Sequence, residues 1–243
     1  MFHSRTIMAL VAALLASALS TPVAAQEQEK GTFDISVLGI RVGVLAFEAT
    51  TQGDQYEARG SAKATGLMAA LFDGGADVVA TGRETGGTLK PSTFKEVTNS
   101  KKGRVERAFH YRNGIPEITR TPARSKPQKY AAPAAEQAGT VDPMTAAYMI
   151  LRNQSAQDVC KMNVELFDGN RRSRLTMSSK SGSGDEITCT GTYRRIAGFS
   201  PKEMAERSSW PVSMNYERMG KDQYALSSAE FSTDFGTARL SRR

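Results

Sequence analysis

The 243 residues carry 32 basic and 25 acidic side chains, a formal net charge of +7, and 40% of them are hydrophobic. That length and apolar content suffice for one compact domain with a sizeable core, which excludes a disordered chain and removes any need for a stapled mini-protein scaffold. The mild positive excess suits anionic envelope surfaces, lipid head groups or wall polymers, although charges of both signs are interspersed as on an ordinary solvated surface.

In chain order, residues 1–25 read as a secretory signal: Arg5 precedes an apolar run from Ile7 to Leu19, and Val23-Ala24-Ala25 offers small residues for cleavage near Ala25. The run is too short to span a bilayer, no later segment is apolar enough, and no cysteine follows the cut to carry a lipid. The expectation is a periplasmic protein, exported with its signal peptide cleaved and with no transmembrane segment in the mature chain. An uncleaved anchor is the alternative. Export separates the protein from nucleic acid, and no nucleic-acid-binding motif is present.

Residues 26–243 are then expected to form a single β-rich domain. Phe33, Ile35 and Val37 alternate with polar residues, and Val42, Val44 and Ala46 begin a second run after Leu38-Gly39-Ile40. Gly53-Asp54 turns the chain into a third strand ending at Ala64. Gly66 to Phe72 holds good helix formers and almost no polar residue, so it reads as a short buried helix that a curved sheet must cover. Strands resume at Ala76–Arg83, Ser92–Thr98 and Arg104–Arg112, and Asn113-Gly114 marks a hairpin, which together describe an antiparallel meander.

Residues 121–140 hold Pro122, Pro127 and Pro133 without enough large apolar groups to pack, and predict a proline-rich mobile loop or linker. Asp142-Pro143 opens the clearest helix, with Asp142 as N-cap and Met144, Ala147, Tyr148 and Leu151 on one buried face. Ser200-Pro201-Lys202-Glu203 has capping-box spacing and starts another short helix. Val212–Arg218, Tyr224–Phe231 and Phe235–Leu240 supply the last strands.

The stretch from Cys160 to Cys189 holds both cysteines and an arginine-rich run. Asp168-Gly169 fits a two-residue turn, which places Glu165 opposite Arg172, Asn163 opposite Arg174 and Arg171 opposite Leu166. Arg171, opposite Leu166 beside the turn, is then the arginine least explained by simple solvation. Adjacent strands carry Cys160 and Cys189 together, and an oxidising compartment makes a disulfide the expected outcome. A redox couple or a metal site is the alternative, but neither thioredoxin-like spacing nor an accompanying histidine cluster is present. Asp168, Gly169, Arg171 and Arg172 form the candidate binding or structural motif.

No catalytic residue, metal-ligand set or cofactor motif emerges. His110 is the only histidine beyond the leader and alternates between Phe109 and Tyr111 within a strand, and no serine sits in a nucleophile elbow. Asp73, Asp77, Glu84 and Glu96 could supply a carboxylate pair, with nothing in the sequence fixing their separation. Trp210 and nearby aromatic residues could line a pocket, although aromatic side chains in a sheet protein mostly fill its core.

Together, Leu38-Gly39-Ile40 with Gly43, the Asp142-Pro143 helix start, Cys160 followed by Phe167-Asp168-Gly169-Asn170-Arg171-Arg172, and Cys189 with Tyr193 and Gly198-Phe199 make the chain resemble the bacterial family catalogued as domain of unknown function 3108. The resemblance runs from about Phe33 to Leu240. It implies an exported, β-rich envelope protein without an assigned catalytic mechanism. It also implies a fold similar to the lipoprotein-carrier group: mainly β with a few short helices, in a strongly curved antiparallel sheet, open and barrel-like, wrapping around buried helices. The expected function is a non-catalytic cell-envelope protein that binds a lipid, lipoprotein or wall-associated partner in an apolar groove. If the helices fill the sheet, the groove gives way to a scaffold or interaction module. The alternative is an envelope hydrolase that cleaves glycans with carboxylates.

Overall fold

The computed structural model describes residues 26–66, 69, 74–233 and 236–243. The expected secretory leader, Asp73 and all but Ala69 of the apolar Leu67–Phe72 stretch lie outside the described residues.

The first half is an antiparallel meander of β1 (Gln26–Val37), β2 (Ile40–Gln52), β3 (Gln55–Ala64), β4 (Gly74–Thr85), β5 (Thr88–Ser100), β6 (Gly103–Arg112) and β7 (Ile115–Thr121). The second half, which follows helix α1 (Pro143–Leu151), contains β8 (Gln154–Ser155), β9 (Asn163–Phe167), β10 (Arg172–Ser181) and β11 (Glu186–Ala197). Helix α2 (Pro201–Glu206) then leads to β12 (Ser209–Arg218), β13 (Gln223–Thr233) and β14 (Gly236–Arg242). Because β14 returns to β1, both halves join in one sheet of order β7-β6-β5-β4-β3-β2-β1-β14-β13-β12-β11-β10-β9, with β8 on β13. The period-two runs and turn signals in the sequence mark most of these strands, as a half-buried sheet requires.

The sheet is rolled. β6 and β9 stand near opposite ends of the strand order, yet the ring of Phe109 on β6 lies 6.3 Å from that of Phe167 on β9. Only a strongly curved sheet brings those strands together, and its edges, β7 and β9, do not pair directly among the described residues. The inward row Ala49, Ala58, Ala80, Phe94 and Phe109 is in register from β2 to β6 and fully buried. Its three alanines leave the space that α1 occupies.

The Asp142-Pro143 signal marks the start of α1 as expected: the Asp142 carboxylate accepts from Thr145 N at 2.8 Å and Pro143 opens the first turn. Met144, Thr145, Ala146, Tyr148 and Leu151 are buried, with Tyr148 stacked on Tyr56 at 5.6 Å. Gly60 lets the helix approach β3, since a Cβ there would lie 3.0 Å from the Met144 sulfur. Thr145 Oγ1 donates its one proton to Asp142 Oδ2 at 2.7 Å, so Tyr56 must donate to Thr145 across their 2.9 Å contact.

Asp142 is wholly enclosed, and burial pushes its carboxyl up to about 6 against the hydrogen bonds from Thr145 that favour its charge. A raised folded pKa means that the native state holds the proton more tightly than the unfolded chain does. Stability from this group is therefore complete below about pH 4 and is lost as pH rises through about 6, by up to about 3 kcal/mol. Asp142→Asn keeps an N-cap acceptor and removes the titration. Melting curves of both proteins between pH 4 and 7 are expected to converge at low pH and to favour the asparagine variant at neutral pH; parallel curves would contradict this.

Of residues 121–140, expected to be a mobile loop or linker, the stretch 132–140 is tied down across the open edges, while 121–131 is exposed. Gly139 N donates to Gly114 O at the β6–β7 turn, and Ala132 N donates to Asn170 O beyond β9. Val141 N donates to Glu165 O, and Phe167 N donates to Val141 O, in a short parallel bridge to β9. A one-turn 3-10 helix, Ala134–Glu136, precedes the buried Gln137 and Thr140. Backbone hydrogen bonds anchor this stretch, so a shortage of bulky apolar side chains does not predict its mobility.

Candidate functional site

The cysteine hairpin departs from its expected register by two residues. Arg172 lies opposite Phe167 and Arg174 opposite Glu165, so the connection has four residues, not two. The cause is the Asp168 side chain: its Oδ1 accepts from the backbone N of Asn170 and Arg171, each at 2.9 Å, and Asp168 N donates to Arg171 O. An even slip preserves which face each side chain takes.

Glu165 consequently holds both Arg172 and Arg174, while Asn163 bonds Thr176 instead of Arg174. Partial burial pushes the Glu165 carboxyl up, but the two guanidinium groups outweigh it and hold it below the ordinary carboxylate range. Arg171, expected opposite Leu166 as the arginine least explained by solvation, pairs with Glu203 at 2.9 Å and lies 4.9 Å from the Phe199 ring centroid. Glu203 also completes the capping box with Ser200, as the sequence spacing anticipated, so Arg171 ties the hairpin to α2.

Gly169 adopts a φ of +93° and packs on β6, where an added Cβ would lie 3.2 Å from the Phe109 ring. Arg107 donates to the carbonyl of Asp168 and to Glu96. The Asp168–Arg172 run therefore latches the rolled sheet, and each member of the candidate motif has an intramolecular partner. Behind it, Cys160 and Cys189 stand at disulfide distance, 5.2 Å between Cα atoms, joining the entry to β9 with β11 across β10. Trp210 is enclosed between Arg195 and Arg207, at 4.5 and 5.3 Å, and fills core space.

The outer face of β1–β4 is different. Lys30, Glu48, Arg59 and Val79 form one cross-strand row, and Thr32, Ala46, Ser61 and Asp77 form the next. The small residues of the second row floor an open groove of about 820 Å³, to which Arg242 and Arg243 also contribute. Lys30, Arg59 and Arg243 thus share this face with Glu48 and Asp77, whereas Arg242, in register with the core residue Phe33, turns its side chain to the inner face. Arg243 pairs with Asp34 and Arg59 with Glu57. Arg242 forms no ion pair among the described residues: its Nε donates to Leu226 O at 2.7 Å, its guanidinium lies 4.9 Å from the Phe33 ring centroid, and burial draws its pKa below the ordinary arginine value.

Sequence reasoning missed this groove, although part of its signal was available. Counting back from the Gly53-Asp54 turn aligns Ala46 with Ser61; Thr32 joins them only through a register shift between Ile35 and Ser36 that no residue pattern announces.

At the other end, a pocket of about 470 Å³ is lined by Glu27, Glu29, Asp54, Glu84, Tyr148 and Arg152, among others. Arg152 donates to Glu84 at 2.8 Å, whereas Glu29 accepts from Asn153 N and burial raises its carboxyl. Among the described residues, the carboxylates named for hydrolysis do not converge: Asp77 faces the outer groove, Glu96 is held by Arg107, and Glu84 lies in this pocket. Among the described residues, no group of three or more His, Cys, Asp or Glu side chains could hold a metal ion, and no helix is long and apolar enough to cross a membrane.

Fold and site define an open, barrel-like antiparallel β protein, filled by its own helix and latched by a cysteine hairpin. The chain belongs to the family described as "Protein of unknown function (DUF3108)", which matches residues 32–239. It is similar to the crystal structure of a beta-barrel-like protein of domain of unknown function DUF1849 from Brucella abortus, with 10% sequence identity and a TM-score of 0.45 over 91% of this chain and 97% of that one. No curated protein matches the chain in sequence.

Proposed function

We propose that the protein is an exported, non-catalytic binding module of the cell envelope that holds an anionic group in the β1–β4 groove. The group is a lipid head-group phosphate or a wall-polymer carboxylate, which share the chemistry that a guanidinium recognises. The observation carrying this reading is the composition of the groove's outer face, where Lys30, Arg59 and Arg243 outnumber Glu48 and Asp77. The leader sequence and the cysteine pair fit the periplasm, where disulfides persist. An apolar carrier cavity has less support, because α1 fills the interior beside the inward alanines. Hydrolysis also has less support: Glu84 and Glu29 share a pocket, but the Arg152 guanidinium engages Glu84 there.

Ala46→Trp fills the groove floor from an outward, partly exposed position, so the fold is expected to survive. Binding of phosphatidylglycerol micelles and of soluble wall fragments is measured on both proteins. A loss of about tenfold for one ligand identifies the source of the anion. Wild-type binding to neither ligand, or binding unaffected by tryptophan, would overturn the reading.

A further inference from the structure

We infer that the tip of the β1–β2 hairpin is a membrane-contact element, which seats Leu38 and Ile40 in the surface of an anionic phospholipid bilayer. Val37 pairs with Ile40, so Leu38-Gly39 is a two-residue turn, with φ of 51° and 79°. Two successive left-handed residues make the turn that favours Asn, Asp and Gly, and a leucine in the first position is conformationally costly. That leucine is 70% exposed and Ile40 is 67% exposed, so neither side chain serves the core. Strain and exposure at one residue point to a role outside the fold.

The tip is held in place. Leu38 N donates to Thr237 O at 3.1 Å, and its side chain rests on Gly236, where an added Cβ would lie 2.3 Å from Leu38 Cδ2. The structure therefore presents two aliphatic groups in a set position.

The occupant follows from area and charge. A specific protein interface needs roughly 800 Å² from each partner, far more than two side chains at one turn supply. A lipid surface imposes no such requirement. Arg41 and Arg239 both lie opposite Ser36, one on each side of β1, and Lys63 is exposed on β3 at the same end of the sheet. Among the described residues, Asp34 and Glu230 pair with the two arginines, leaving Lys63 as added positive charge beside the apolar tip. Aliphatic side chains flanked by basic ones suit the boundary between acyl chains and anionic head groups. This inference is independent of the groove reading, since it uses none of Lys30, Arg59, Arg243 and the Ala46 row.

The test is co-sedimentation with vesicles of phosphatidylglycerol and phosphatidylethanolamine, against phosphatidylcholine alone, for wild type and for Leu38→Asn/Ile40→Ser. Asparagine suits the turn, so the variant is expected to melt no lower than wild type. Wild type should bind the anionic vesicles, less at high salt, and the variant should bind at least about fivefold more weakly. Equal binding by both proteins, or none by wild type, would overturn the inference. So would wild-type self-association that the variant loses, because it would assign the tip to a second copy of the chain.

Discussion

Phe109→Ala is expected to lower the unfolding free energy by about 3–5 kcal/mol, the cost of deleting a fully buried aromatic ring that its neighbours cannot replace. Phe109 packs on Phe94 at 4.9 Å and reaches Phe167 at 6.3 Å, while Gly169 of the latch lies against its ring. The truncation therefore opens a cavity at the place where the edges of the rolled sheet meet. His110, its outward neighbour, provides the control: His110→Ala should change stability by no more than about 0.5 kcal/mol. Urea denaturation of the two variants checks both values, and comparable losses would contradict a sheet closed by inward packing.

The second large effect concerns the cysteines. Joining residues 29 apart in sequence removes denatured-state entropy worth about 3.6 kcal/mol on chain-entropy arithmetic. Reduction, or the Cys160→Ala/Cys189→Ala double variant, should lower the melting temperature by about 10 °C for a chain of this size. Cys189 is fully enclosed, so the variant also reports lost packing and should melt slightly lower than the reduced protein. Two free thiols by mass spectrometry under non-reducing conditions, or melting insensitive to reductant, would contradict the staple.

What was legible in the sequence is local. Alternation marked most strands, Asp142-Pro143 and Ser200-Glu203 marked helix starts that both carry the expected caps, and the cysteine pairing was expected from the leader-like N-terminus and strand adjacency. What was not legible depends on geometry between distant residues. The Asp168 side chain bonds its own loop and shifts the register by two, which a two-residue turn pattern conceals. Arg171 finds Glu203 32 residues away, because α2 packs beside the hairpin. The proline-rich segment looked unable to pack, yet backbone bonds to Gly114, Glu165 and Asn170 hold its C-terminal part across the seam. The groove required the alignment of four strands, including a register shift in β1, so neither Lys30 nor Arg59 stood out as a candidate.

We propose that the rolled, latched sheet presents a groove for an anionic envelope ligand. Native mass spectrometry of protein purified without detergent exchange from its own envelope fraction, wild type beside Ala46→Trp, tests that claim most directly. A bound anionic lipid or wall fragment is expected on the wild type, with its loss from the tryptophan variant. Wild-type protein carrying no ligand, or an adduct that persists when the groove is filled, would contradict it.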